Sequence, residues 1–221
     1  MIKKFTLSFI LGISIIFITL YCSVYFWANN DNFFSKKFIE NDSTSVIGIS
    51  TEDLFNVNER LIDYMFDRYD TMNIIAPSYS DDYFFTEKEE HHMVDVKNLF
   101  TMGFYLFTGS IITALAIILY SLHKKNAKII FNLSSKVILC ILLLCTILGI
   151  IISFDFNKYF TIFHEIFFTN DLWLLDPTVD MMINMYPLNF FIDMSFNIIL
   201  TFGILNLIYI GSSLFITRRK Q

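Results

Sequence analysis

Four apolar runs constrain this chain more than any other feature. They cover residues 5–28, 99–122, 133–154 and 190–217, and each exceeds the roughly 20 helical residues that cross about 30 Å of hydrocarbon. Charge is nearly absent within them; Lys136 lies one turn inside the third run and Asp193 one turn inside the fourth. With 55% hydrophobic and 18% aromatic residues and a mean hydropathy of +0.55, the chain carries more apolar surface than a water-soluble domain can bury. The expected fold is all-α and integral to the membrane. It has four transmembrane helices in a single membrane domain of 221 residues and a small helical extracytoplasmic cap. The first run lacks the small-residue cleavage site of a signal peptide and is expected to remain as a helix.

Basic residues set the expected orientation. Lys3 and Lys4 precede the first run, Lys124, Lys125 and Lys128 fill the short second loop, and Arg218, Arg219 and Lys220 close the chain. An even number of spans puts all three groups on one side, so both termini are expected in the cytoplasm. The loops 29–98 and 155–189 face outward, with net charges of −9 and −4. An overall charge of −5 speaks against a nucleic-acid partner, since a phosphate backbone requires a basic face. Cys22, Cys140 and Cys145 all fall in apolar runs and form no disulfide framework.

Capping signals give the outer loops structure. Ser50 with Asp53 reads as a capping box opening a helix with Leu54, Val57, Leu61 and Met65 on one face. Thr86 with Glu89 reads as a second, opening a helix that runs through His92 and Asp95 into the second span. Lys97 is expected at the interface with its stem in the apolar region. Residues 160–168 are too apolar for water and too short to span, which suits a segment lying in the outer interface. Asp176 before Pro177 reads as an N-cap, starting a helix with Val179, Met182, Ile183 and Tyr186 on one face.

Candidate chemistry gathers at the outer membrane level. His91, His92 and His164 all lie there, and either of the first two can neighbour Asp95 on a helix, fixing an imidazole tautomer. Asp193, near the outer end of a span, is expected either to line an outer cavity or to reach the interface. No Gly-x-Ser-x-Gly elbow, His-Glu-x-x-His pair or phosphate loop is present, so an enzyme here would offer acid–base groups without a nucleophile of its own.

Two histidine motifs carry a family likeness. His92-Met93-Val94-Asp95-Val96-Lys97, entering a span, together with Phe163-His164-Glu165-Ile166-Phe167-Phe168, Asn170, Trp173 and Asp176-Pro177, resembles the lipoprotein intramolecular transacylases of low-GC Gram-positive bacteria. The stretch Leu61-Ile62-Asp63-Tyr64-Met65 and the four spans also fit, so the likeness covers essentially the whole chain. The resemblance implies transfer of the sn-2 acyl chain of an S-diacylglyceryl cysteine onto that residue's own α-amine, giving a lyso-form lipoprotein. It implies His92 and His164 as catalytic residues, with Asp95, Lys97, Trp173 and Asp176 beside them, and His91 as an unusual neighbour. The implied partners are diacylglyceryl-modified lipoproteins and membrane lipid, with no cofactor and no metal, at the plasma membrane with the site outward. Two other classes stay open on the residues alone. One is a non-enzymatic sensor or assembly factor, with His92 and His164 far apart. The other is a metal site built from His91, His92, His164 and Asp95, although no ligand pair has a familiar zinc spacing.

Overall fold

The computed structural model describes residues 2–218, so Arg219 and Lys220 of the basic C-terminal group lie outside the described residues. Nine helices occur among those described: α1 (Ile2–Ala28), α2 (Asp31–Glu40), α3 (Ser43–Ile47), α4 (Thr51–Met65), α5 (Glu87–His123), α6 (Ala127–Phe154), α7 (Phe156–Phe167), α8 (Met181–Met185) and α9 (Leu188–Arg218). Of these, α1, α5, α6 and α9 are long and apolar enough to cross a membrane. At 37 residues α5 is about 55 Å long, well beyond the hydrocarbon thickness. Its first twelve residues, 87–98, are rich in charge and precede the apolar stretch that begins at Leu99. The chain forms two compact units. One holds Met1–Tyr25, Gly103–Asp155 and Phe196–Gln221; the other holds Phe26–Met102 and Phe156–Ser195.

In the first unit, Leu11, Ala114, Ile117 and Ile130 form a small buried cluster. Gly12 has a local reason to be glycine, because a Cβ there would meet Val137 Cγ1 at 3.0 Å and the Ser134 carbonyl oxygen at 3.3 Å. Small residues let helix backbones approach in this way where no hydrophobic force drives helices together in lipid. Hydroxyls satisfy themselves on their own helix: Ser8 donates to the carbonyl of Lys4 at 2.8 Å, Ser14 to Ile10 at 2.9 Å and Ser23 to Thr19 at 2.7 Å.

The second unit has a conventional core. Phe33, Phe34 and Phe38 of α2, Leu54, Val57 and Leu61 of α4, Met182 and Met185 of α8, and Phe190 of α9 are all buried in one cluster. Met65, on the same expected face of α4, is partly buried against it. The α4 capping box forms by half: Ser50 Oγ accepts from Asp53 N at 3.1 Å, while Asp53 Oδ2 accepts from Ser78 N at 2.7 Å instead of from Ser50. The Thr86–Glu89 box is complete, with Thr86 N donating to Glu89 Oε2 at 2.8 Å and Glu89 N to Thr86 Oγ1 at 3.3 Å. Asp176 does not start a helix. Its Oδ1 accepts from Thr178 N at 2.9 Å and Thr178 Oγ1 at 2.7 Å, a turn that delays α8 to Met181, with Asp180 before it.

Candidate active site

His92 sits on the charged start of α5, one turn after its capping box. His164 lies near the end of α7, on the face that also carries Asn157, Phe160 and Thr161, at the i, i+3, i+4, i+7 spacing of one helical stripe. These residues line a cavity of about 300 Å³ together with Trp173, Met182, Ile183, Tyr186, Leu188 and Phe191, all within the second unit. The two imidazole rings approach to 6.1 Å between centroids at an interplanar angle of 33°.

The rings have different settings. His164 Nδ1 lies 2.6 Å from the Phe160 carbonyl oxygen. A carbonyl can only accept, so neutral His164 carries its proton on Nδ1 and keeps a lone pair on Nε2. Aromatic rings hold it in place, with Trp173 stacked at 4.9 Å and 29° and Phe160 edge-on at 4.5 Å. Burial pushes its pKa below the ordinary imidazole value, and the Phe160 carbonyl partly opposes this. His92 is buried, 7% exposed, and its Nδ1 is enclosed with no protein partner. Burial pushes it down to about 4, helped by the neighbouring His164 and opposed by Asp95. Both rings are therefore neutral at pH 7.

Other expected residues fall elsewhere. His91, adjacent in sequence, has a side chain 62% exposed and lies 3.8 Å from the Glu87 carboxylate. Asp95 lies near enough to His92 to act on its charge, but neither histidine hydrogen-bonds it: its Oδ2 accepts from Asn170 Nδ2 at 2.8 Å. Lys97 is held by Asp67 at 2.7 Å and the Tyr69 carbonyl at 3.2 Å, over the Tyr64 ring, so it tethers a loop and is not a free interfacial cation. Asp193 does not line the cavity and does not stand free; it pairs with the buried Lys37 of α2. Trp173 does belong to the site. Among the described residues no three His, Cys, Asp or Glu side chains gather as a metal site requires.

Sequence reasoning read Glu89 as a cap only. It is 0% exposed, and beyond its capping role its Oε1 accepts from Met182 N at 2.6 Å, tying the start of α5 to the cavity wall. Tyr186, which donates to Asn58 Oδ1 at 2.8 Å, forms another part of that wall. The expected apolar face of α8 gave the only signal for it.

The family model described as lipoprotein intramolecular transacylase Lit matches residues 9–191. The chain belongs to this family. A lipoprotein intramolecular transacylase is an acyltransferase acting on lipoproteins, and the non-enzymatic alternative is thereby set aside. Among solved structures, the membrane-integral lipoprotein intramolecular transacylase Lit from Bacillus cereus is similar at a TM-score of 0.84 and 21% identity. The match covers 98% of this chain and 96% of that one. A form of the same protein with one histidine replaced by arginine matches at 0.80, over 98% and 92% of the two chains. A form with histidine replaced by alanine matches at 0.78, over 96% and 93%. At this identity the likeness is one of fold, and it agrees with a multi-pass membrane transacylase. No curated protein matches.

Proposed function

We propose that this transacylase moves the sn-2 acyl chain of an S-diacylglyceryl cysteine to the cysteine's α-amine, using His164 as proton shuttle and His92 as a neutral hydrogen-bond donor. The observation that carries the reading is the His164 tautomer: Nδ1 engaged by Phe160 leaves Nε2 basic, 6.1 Å ring-to-ring from a second buried imidazole. An α-amine near pKa 8 gives its proton to an imidazole at modest cost, and an apolar cavity lowers the amine's own pKa. The amine attacks in its neutral form: its nitrogen bonds the sn-2 carbonyl carbon, and His164 Nε2 takes the N–H proton that the newly bonded nitrogen sheds. His92, whose cation is not populated at neutral pH, donates a neutral N–H to the developing oxyanion. Collapse breaks the C–O bond, and the proton held by His164 passes to the departing glyceryl oxygen. Both reacting groups belong to one residue, so proximity replaces a protein nucleophile.

Purified protein with an S-diacylglyceryl lipopeptide, read by mass spectrometry of the N-terminus, tests this. His92→Ala and His164→Ala should each lower the rate by roughly 10²–10⁴-fold, and the double variant should cost little more. His91→Ala should retain activity. A folded His164→Ala protein that forms N-acyl product at the normal rate would remove the shuttle. The charge pattern supports a cytoplasmic location for both termini and an outward site. Accordingly, Arg60→Cys should react with an impermeant thiol reagent in intact cells and Asn126→Cys should not; the reverse pattern would invert the topology.

A further inference from the structure

Asp95 lies one turn beyond His92 on α5 yet makes its hydrogen bond 75 residues away. Its Oδ2 accepts from Asn170 Nδ2 at 2.8 Å. Both ends of the Asn170 side chain and its carbonyl are engaged: its Oδ1 accepts from Leu172 N at 3.1 Å, and its backbone carbonyl accepts from Trp173 Nε1 at 2.8 Å. Residues 170–173 thus form a hook anchored at Asp95 and ending in an indole, and that indole stacks on His164. A stacked face stops the imidazole from tilting and covers it from water, while Phe160 holds Nδ1.

We infer that Asp95 is a positioning residue for His164, acting through Asn170 and Trp173, so that the helix carrying one histidine sets the orientation of the other. The inference rests on the acid–base reading of the pair. In this arrangement the hydrogen bond from Asn170 matters more than the charge of Asp95, because an amide oxygen at position 95 can accept it equally well. Displacing a reacting group by about 1 Å can cost on the order of 100-fold in rate.

The test uses the purified full-length protein with an S-diacylglyceryl lipopeptide. Asp95→Ala should lower kcat by roughly 10- to 100-fold with KM little changed, whereas Asp95→Asn should restore most of the rate. Asn170→Ala should match Asp95→Ala, and the double variant should cost no more than either, since both cut one chain of contacts. Loosening the hook also lets water reach His164, moving the acid limb of the kcat/KM profile to higher pH in Asp95→Ala and not in Asp95→Asn. The other titratable groups lining the cavity are His92 from α5 and Tyr186 from α8; both variants remove the Asp95 charge that holds His92 up, so any shift through His92 is common to them and the difference between them reports on His164. Asp95→Asn as impaired as Asp95→Ala, additive losses in the double variant, or an unmoved acid limb would each overturn the inference. So would a normal rate in Asp95→Ala while His92→Ala and His164→Ala are inactive. Activity persisting in the two histidine variants would instead remove the acid–base reading itself.

Discussion

The two compact units satisfy their polar groups in opposite ways. In the first, most serine and threonine hydroxyls bond carbonyls three or four residues back on their own helix, as Thr146 does to Leu142 at 2.8 Å, with Ser134 also meeting Tyr209 of α9 at 2.8 Å. In the second, the decisive bonds join distant segments: Glu89 to Met182, Asp95 to Asn170, and Tyr186 to Asn58. Exposure also changes meaning. Leu143 and Leu144 of α6 leave more than half their surface uncovered, which costs nothing against hydrocarbon, while Leu54 and Met185 of the second unit are fully enclosed. One region is held by a solvent that matches its surface, and the other must build its own interior. Only the latter carries the histidine cavity.

Truncating one leucine in each region gives the largest expected difference. Leu54→Ala removes a fully buried side chain from the core of the second unit and should cost about 2–5 kcal/mol. Leu143→Ala exchanges one lipid-facing apolar group for a smaller one and should cost less than about 1 kcal/mol. Unfolding of the full chain in bilayer discs measures both, and equal losses would erase the distinction.

Acid should act next, and on the second unit. His92 is pushed down to about 4 in the fold and returns to about 6.5 when unfolded. The unfolded chain therefore binds the extra proton between these values. Stability stays flat above about pH 6.5, declines as pH falls toward 4, and is lower by about 3 kcal/mol below that. His92→Phe removes the group with the larger role and should make the decline between pH 6.5 and 4 shallower, leaving the part that buried His164 contributes. A decline of the same depth in that variant would assign the acid sensitivity to another group.

How far the sequence could be read follows the same divide. The spans, the completed Thr86–Glu89 box and the buried face of α4 are legible because each depends on neighbours within a few turns. The approach of His92 to His164 is legible only from their shared membrane level together with the two motifs that carry the family likeness. Local spacing puts Asp95 near His92, but no hydrogen bond joins them because Asn170 in a distant loop takes the Asp95 oxygen. Of the two placements open to Asp193, lining the cavity fails, since Lys37 on α2 claims its carboxylate. The start of α8 was misplaced because Asp176 spends its carboxylate on Thr178, a choice that propensity does not distinguish from a helix cap.

The smallest expected effect tests whether any distant polar bond matters in the first unit. Asn206 of α9 is fully buried and donates through Nδ2 to Thr19 Oγ1 of α1 at 2.8 Å and to the Phe202 carbonyl at 2.8 Å, while its Oδ1 has no partner. Thr19 already bonds the Ile15 carbonyl on its own helix at 2.9 Å, so losing Asn206 leaves it satisfied. In a membrane the unfolded helices also find partners, which keeps such couplings near 0.6 kcal/mol, with a maximum of about 1.7. A double-mutant cycle of Asn206→Leu with Thr19→Val should fall in that range. Asn206→Leu alone should be nearly neutral, because it also removes an unsatisfied oxygen. A coupling above about 2 kcal/mol would mean that a long-range polar bond holds the spanning helices together, as such bonds hold the histidine cavity, and the contrast between the two regions would fail at its most direct point.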